Sequence, residues 1–233
     1  MMEQILYLAS VWTLPVLIAI TFHEAAHGWV AWHLGDPTAR QLGRVTFNPF
    51  KHIDPFGTVL LPAALLLAQT VGGVSRPLLF GWAKPVPVNF GRLRNPRRDM
   101  VLVAAAGPGI NLALAYAAAL LMHVVPALPD TIVNWAGHNL LNAILINLIL
   151  AVFNMLPLPP LDGGRVAVGV LPKQLALPLA RLERYGLPII LGLVFIVPWL
   201  GRAVGVDLNV FYWIVAVPVG LLFNLVVTLA GLG

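Results

Sequence analysis

Residues 19–30 read AITFHEAAHGWV, a His-Glu-Ala-Ala-His box set inside an apolar run that extends over about residues 5–34. In a helix, His23 and His27 lie one turn apart and project from the same face, so both imidazoles can reach one tetrahedral zinc ion. Glu24 is adjacent to one imidazole and three residues before the other. It therefore points to the edge of the pair, which suits a general base better than a ligand. Ionisable groups at membrane depth are costly and generally mark function, which counts against a cluster that only bonds helices together.

Outward from the box, the whole chain is apolar. Of its 233 residues 59% are hydrophobic and 10% charged, against about 25% charged in a soluble domain. The expected fold class is an all-α polytopic membrane protein with about five to six transmembrane helices, a broken or re-entrant segment and a candidate short β-hairpin. It reads as a single integral membrane domain over 1–233, with catalytic helices at about 5–34, 100–125 and 138–162. No Lys or Arg precedes the first apolar run, so that run is expected to remain as a helix rather than be cleaved as a signal peptide. The net charge is +5, but the basic residues sit in loops between apolar spans rather than along one polar face. They fit the lipid bilayer surface and topology setting, not nucleic acid. With no Cys, a metal here must use His and carboxylates.

Further apolar runs cover about 57–75, 100–125, 138–158, 187–200 and 208–230. The loop between residues 35 and 55 contains Arg44-Val45-Thr46-Phe47, whose alternation predicts a short strand. The Pro-punctuated KPVPVNF stretch, 84–90, predicts an extended segment, and both stretches are candidate edges on which an unwound substrate could pair. If 57–75 enters and returns, as Pro62, Gly72 and Gly73 allow, thirteen of the fourteen Lys and Arg fall on one side with Arg202 opposite. The positive-inside rule then makes that side cytoplasmic and the N-terminus external.

A third ligand is expected in FNMLPLPPLDGGR, residues 153–165. Asp162 is the choice: Pro157, Pro159 and Pro160 should end an apolar helix there, and Gly163 and Gly164 let the backbone turn past the carboxylate. His23 and Asp162 reach the same leaflet, the cytoplasmic one, if 57–75 returns. Asn154 and Asn111 read equally well as interhelical hydrogen bonders or as active-site groups. Gly107 and Gly109 read as sites of close helix approach.

HEAAH at 23–27, AGPGIN at 106–111 and NMLPLPPLDGGR at 154–165 resemble, in order, the HExxH, GPxxN and NxxPxxxLDG signatures of the site-2 proteases, intramembrane zinc metalloproteases. GDPTA, GRVTFNP, HIDPFGT and FGWAKPVPVN are similar to loops of that family's compact bacterial branch, which lacks PDZ and CBS modules. The resemblance implies one zinc ion (Zn2+) per chain held by His23, His27 and Asp162, Glu24 as general base and Asn154 as an active-site polar group. It further implies cleavage of membrane-embedded protein substrates, in regulated intramembrane proteolysis, by a multi-pass protein of the bacterial inner membrane whose active site lies nearer the cytoplasmic leaflet. The extra apolar segment 57–75 departs from the three-helix catalytic core by which the family is described. Two rival functions are a zinc-binding transporter or scaffold and an inactive relative. A transporter should string polar ligands along several spans, whereas these converge at one depth, and an inactive relative need not retain Glu24.

Overall fold

In lipid a chain must satisfy its backbone polar groups within itself, so long uncharged runs become helices. The computed structural model describes residues 2–61, 63, 64, 67, 81–203, 205, 206 and 208–233. Its first element, α1 (Met2–His33), is a single helix that carries Pro15 and the HEAAH box, with the box close to its C-terminal end. After a long connection come α2 (Pro96–Leu121) and α3 (Asp130–Asn154), the short helix α4 (Asp162–Val170), and two further apolar helical spans, α5 (Lys173–Gly201) and α6 (Tyr212–Leu229). Among the described residues five helices are long and apolar enough to cross a membrane: the Leu6–His33 part of α1, α2 with its extension to Ala127, α3, α5 and α6. The chain is an integral, multi-pass membrane protein.

Sequence explains where these helices start and stop. Pro96 opens α2, where its missing N–H costs nothing, and the Asp99 carboxylate reaches back to accept the Asn95 N–H at 2.8 Å. α3 ends at Asn154, ahead of three prolines that cannot continue it. Two boundaries differ from the sequence expectation. α3 begins at Asp130 rather than near His138, and Asp162 does not close α3 but opens α4, after the seven-residue Pro-rich turn 155–161. The turn is tight: a Cβ at Gly163 would run into the Met155 carbonyl, and one at Gly164 into the Pro159 nitrogen. Arg97 of α2 then fixes the far end of α4 by donating to the Gly169 carbonyl at 2.9 Å and to that of Leu171.

The core lies where α2, α3 and α6 meet. Ala115, Ala119, Ile144 and Leu148 are fully buried there, with Val215 1% exposed, a small-residue interface of the kind that lets membrane helices approach closely. Large apolar side chains such as Leu8, Trp12, Leu221 and Leu229 stay exposed, as surfaces facing lipid tails do.

The connection from α1 to α2 returns to its starting point: the Arg94 N–H donates to the Leu34 carbonyl at 3.0 Å. Most of the 57–75 segment expected to re-enter, including Pro62, Gly72 and Gly73, lies outside the described residues. Its first residues are described, in a turn of π-type helix at Pro55–Leu60 capped by Asp54. The expected β-hairpin is not formed, and no strand occurs among the described residues. The alternation at 44–47 does not sort burial as a strand would: Arg44 is buried, while Phe47 is exposed although stacked on Phe22 at 4.5 Å, and Val45 lies beside Gly28; a strand also needs a partner. The Thr46 carbonyl is instead taken by His52 Nε2, and the Thr46 hydroxyl by the Asn48 N–H.

Candidate metal centre

The structure brings together residues from opposite ends of the chain. His23 and His27, four apart on α1, present their Nε2 atoms 3.0 Å apart. Asp162, at the first position of α4, places Oδ2 3.2 Å from His23 Nε2 and 3.3 Å from His27 Nε2. All three side chains are buried.

The outer ring nitrogens have partners that fix the tautomers. His27 Nδ1 lies 2.7 Å from the Val103 carbonyl oxygen, which can only accept, so this nitrogen carries the proton. His23 Nδ1 lies 2.6 Å from Asn111 Oδ1. The Asn111 amide nitrogen donates to the Ala19 carbonyl at 3.2 Å and to Asn147 Oδ1 at 2.7 Å, so Oδ1 is the atom facing His23, and His23 Nδ1 is also the protonated one. In the neutral rings both Nε2 atoms then carry lone pairs.

Those lone pairs decide the fit to a metal. Two Nε2 atoms and the buried Asp162 Oδ2, which accepts no hydrogen bond, form a triangle of three acceptors. Such a triangle is repulsive without a cation among its corners. Tetrahedral zinc with N and O ligands at about 2.0–2.2 Å sets its donor atoms about 3.3 Å apart, close to the spacings seen here. His23, His27 and Asp162 are the metal-competent cluster found among the described residues.

Gly107 lets the site close. A Cβ at that position would collide with His27 Nε2 and His23 Cε1, whereas one at Gly109 would meet nothing within 4 Å. The close-approach reading therefore holds for Gly107 and fails for Gly109. Of the two asparagines left open by the sequence, Asn111 is the one bonded to a site imidazole. Asn154 donates instead to the Leu150 carbonyl of its own helix at 3.0 Å and has no hydrogen bond to the cluster. The link between Glu24 and Val86 went unread in the sequence: Glu24 Oε2 accepts the Val86 N–H at 2.7 Å, across 62 residues of chain. No local pattern encodes such a contact. It also limits the segment expected to pair with substrate, because Lys84 donates to the His52 carbonyl and Pro85 and Pro87 have no N–H. From 84 to 87 every amide donor is used or missing.

Beside the HEAAH turn lies an apolar cavity of about 550 Å³, lined by Phe22, Ala25, Ala26 and Trp29 of α1, by residues 45–47 and by Ile110 of α2. It occupies the helix face next to the imidazole stripe.

YwhC of Bacillus subtilis, whose name describes a candidate zinc metalloprotease, is 38% identical to this chain over 197 residues, covering 79% of this chain and 80% of its own length. The chain belongs to peptidase family M50. The family's sequence profile itself matches residues 121–197, a stretch that includes Asp162. Rip2 of Mycobacterium tuberculosis, named in the same way, matches this M50 peptidase at 32% identity over 85% of the chain and 70% of its own length. A shorter match, 44% over 64 residues, is to MJ0611 of Methanocaldococcus jannaschii, also named as a candidate zinc metalloprotease. No solved structure matches the chain significantly. The protein is a membrane zinc metallopeptidase, in agreement with the resemblance to site-2 proteases.

Proposed function

We propose that this M50 peptidase cuts peptide bonds in or near transmembrane segments of other membrane proteins, as a single catalytic domain and as a step of regulated intramembrane proteolysis. The observation that carries the reading is the triangle of His23 Nε2, His27 Nε2 and Asp162 Oδ2, buried in a bundle of apolar helices. In this reading His23, His27 and Asp162 hold one zinc ion. When bound, zinc supplies an activated water and polarises the scissile carbonyl. Glu24 takes the proton of the attacking water and returns it to the leaving amine nitrogen. Asn111 and the Val103 carbonyl keep both imidazoles in the tautomer that offers Nε2. For Asn154 the support is the match of the NMLP stretch to the family motif, which makes it an active-site polar group outside the metal cluster, its amide bonding its own helix.

The apolar cavity beside the HEAAH turn suits large apolar side chains of a segment drawn from the bilayer. The basic connections point to the cytoplasm of a bacterial cell, which puts the active site nearer the cytoplasmic leaflet of the inner membrane. A transporter would need polar groups strung across the bilayer, and the three candidate ligands instead meet at one point.

The test is cleavage of a panel of single-span substrates by purified protein in detergent, alongside Glu24→Gln and Asn154→Ala, with zinc counted in each. Glu24→Gln should keep one zinc and lose cleavage. Asn154→Ala should keep zinc and cut more slowly. Equal cleavage by wild type and Glu24→Gln would remove the general base from the account.

A further inference from the structure

The extended segment 81–89 is strapped across α1 by anchors that are themselves buried. Asp36, fully buried, accepts the Asn89 N–H at 2.6 Å. Arg44, 8% exposed, donates through Nη2 to the Lys84 carbonyl at 2.8 Å and the Pro85 carbonyl at 3.4 Å. Lys84 N–H donates to the His52 carbonyl at 2.9 Å, and Trp82 N–H to that of Gly57 at 3.1 Å. Between these anchors the chain reads Pro85-Val86-Pro87, so Val86 supplies the one N–H of the tripeptide, and that N–H goes to Glu24 Oε2 at 2.7 Å. The Val86 side chain packs beside Gly28 on the next turn of α1, where a Cβ would stand 3.1 Å from Val86 Cγ1.

We propose that this strap is a positioning device for the base: Arg44 fixes the two peptide units before Val86, and the Val86 amide holds one carboxylate oxygen of Glu24, leaving Oε1 to handle the proton. The inference rests on Glu24 being the general base. A free glutamate side chain spreads over many rotamers, and a base serves only from the one that faces the reacting water. Ordering that side chain before substrate arrives removes an entropic cost from the reaction itself. A strap that served only to pack α1 would not need a lone amide flanked by two prolines and aimed at a carboxylate. Proline on both sides fixes the neighbouring backbone and removes competing donors.

The test uses the zinc-loaded full chain in detergent. Replacing Val86 by its α-hydroxy acid analogue, which turns the amide into an ester, removes the donor and leaves the side chain. This should lower kcat about tenfold with KM and zinc content unchanged, the signature of an interaction that matters to the transition state rather than to binding. Arg44→Met should lower kcat in the same way, and Arg44→Lys, which still donates, should recover part of the loss. Hydrogen exchange reads the bond directly, because Val86 has the only backbone amide between Lys84 and Val88. Its exchange should accelerate at least about tenfold in Glu24→Ala. Wild-type kcat in the ester variant, or unchanged Val86 exchange in Glu24→Ala, overturns the proposal. Failure of the two readings is separable: an active Glu24→Gln removes the base, while an inactive Glu24→Gln beside a fully active ester variant removes only the strap.

Discussion

A methyl group at Gly107 would strike both imidazoles, while one at Gly109, two residues along the same helix, would meet no atom within 4 Å. Gly107→Ala should therefore weaken zinc binding by about 10- to 100-fold, the usual cost of disturbing the groups that orient metal ligands. Gly109→Ala should match wild type. Competition with a calibrated chelator measures both, and equal weakening in the two variants would contradict the assigned contact. At this scale the sequence was legible where chemistry is local. His23, Glu24 and His27 announce themselves by spacing alone, because a helix turn converts four residues into one face. Asn111 stayed ambiguous because its role depends on which helix it meets, and only the fold shows its amide oxygen against His23 Nδ1. The Glu24 to Val86 bond was illegible, since a backbone amide has no side-chain signature.

At the scale of elements, the Pro-rich turn before α4 carries the geometry of the third candidate ligand. Gly163 and Gly164 let the turn pass within contact of the Met155 carbonyl and the Pro159 nitrogen. Gly163→Ala should push Asp162 away from the imidazoles, lowering zinc occupancy and the thermal midpoint together, because overpacked buried turns must shift backbone. Metal content and a melting curve on the same preparation check this; a variant with full occupancy and an unchanged midpoint would show the turn to be slack. The sequence identified the turn from its prolines and glycines but put Asp162 at the end of one helix instead of the start of the next. Proline marks a break without saying how soon the chain re-forms a helix. The failed hairpin has a similar origin: alternation at 44–47 brings Val45 and Phe47 into contact with α1 but carries no information about a partner strand, and it is Arg44 that is buried while Phe47 stays exposed.

For the whole molecule, the contact of Arg94 with Leu34 means that the connection from α1 to α2 leaves and returns at one end of the bundle. The odd and even spans then alternate so that the basic connections share a side, as the charge pattern predicts. The natural absence of Cys makes this easy to check. Single cysteines at the exposed Phe50 and Thr131 should react with a membrane-impermeant thiol reagent from opposite faces, Phe50→Cys from the cytoplasmic one. Labelling of both from the same face would refute the topology. The polytopic helical architecture and the convergence of distant motifs were legible, because hydropathy and the need for a third ligand are properties of the chain as a whole.

The central claim is that an imidazole pair near the start of the chain and a carboxylate 135 residues after His27 close on one ion. Zinc stoichiometry and affinity of purified Asp162→Ala, set against Glu24→Gln, test it most directly. The account predicts one zinc per chain at wild-type affinity in Glu24→Gln and binding weakened about 100-fold or more in Asp162→Ala. Wild-type zinc affinity in Asp162→Ala would contradict it.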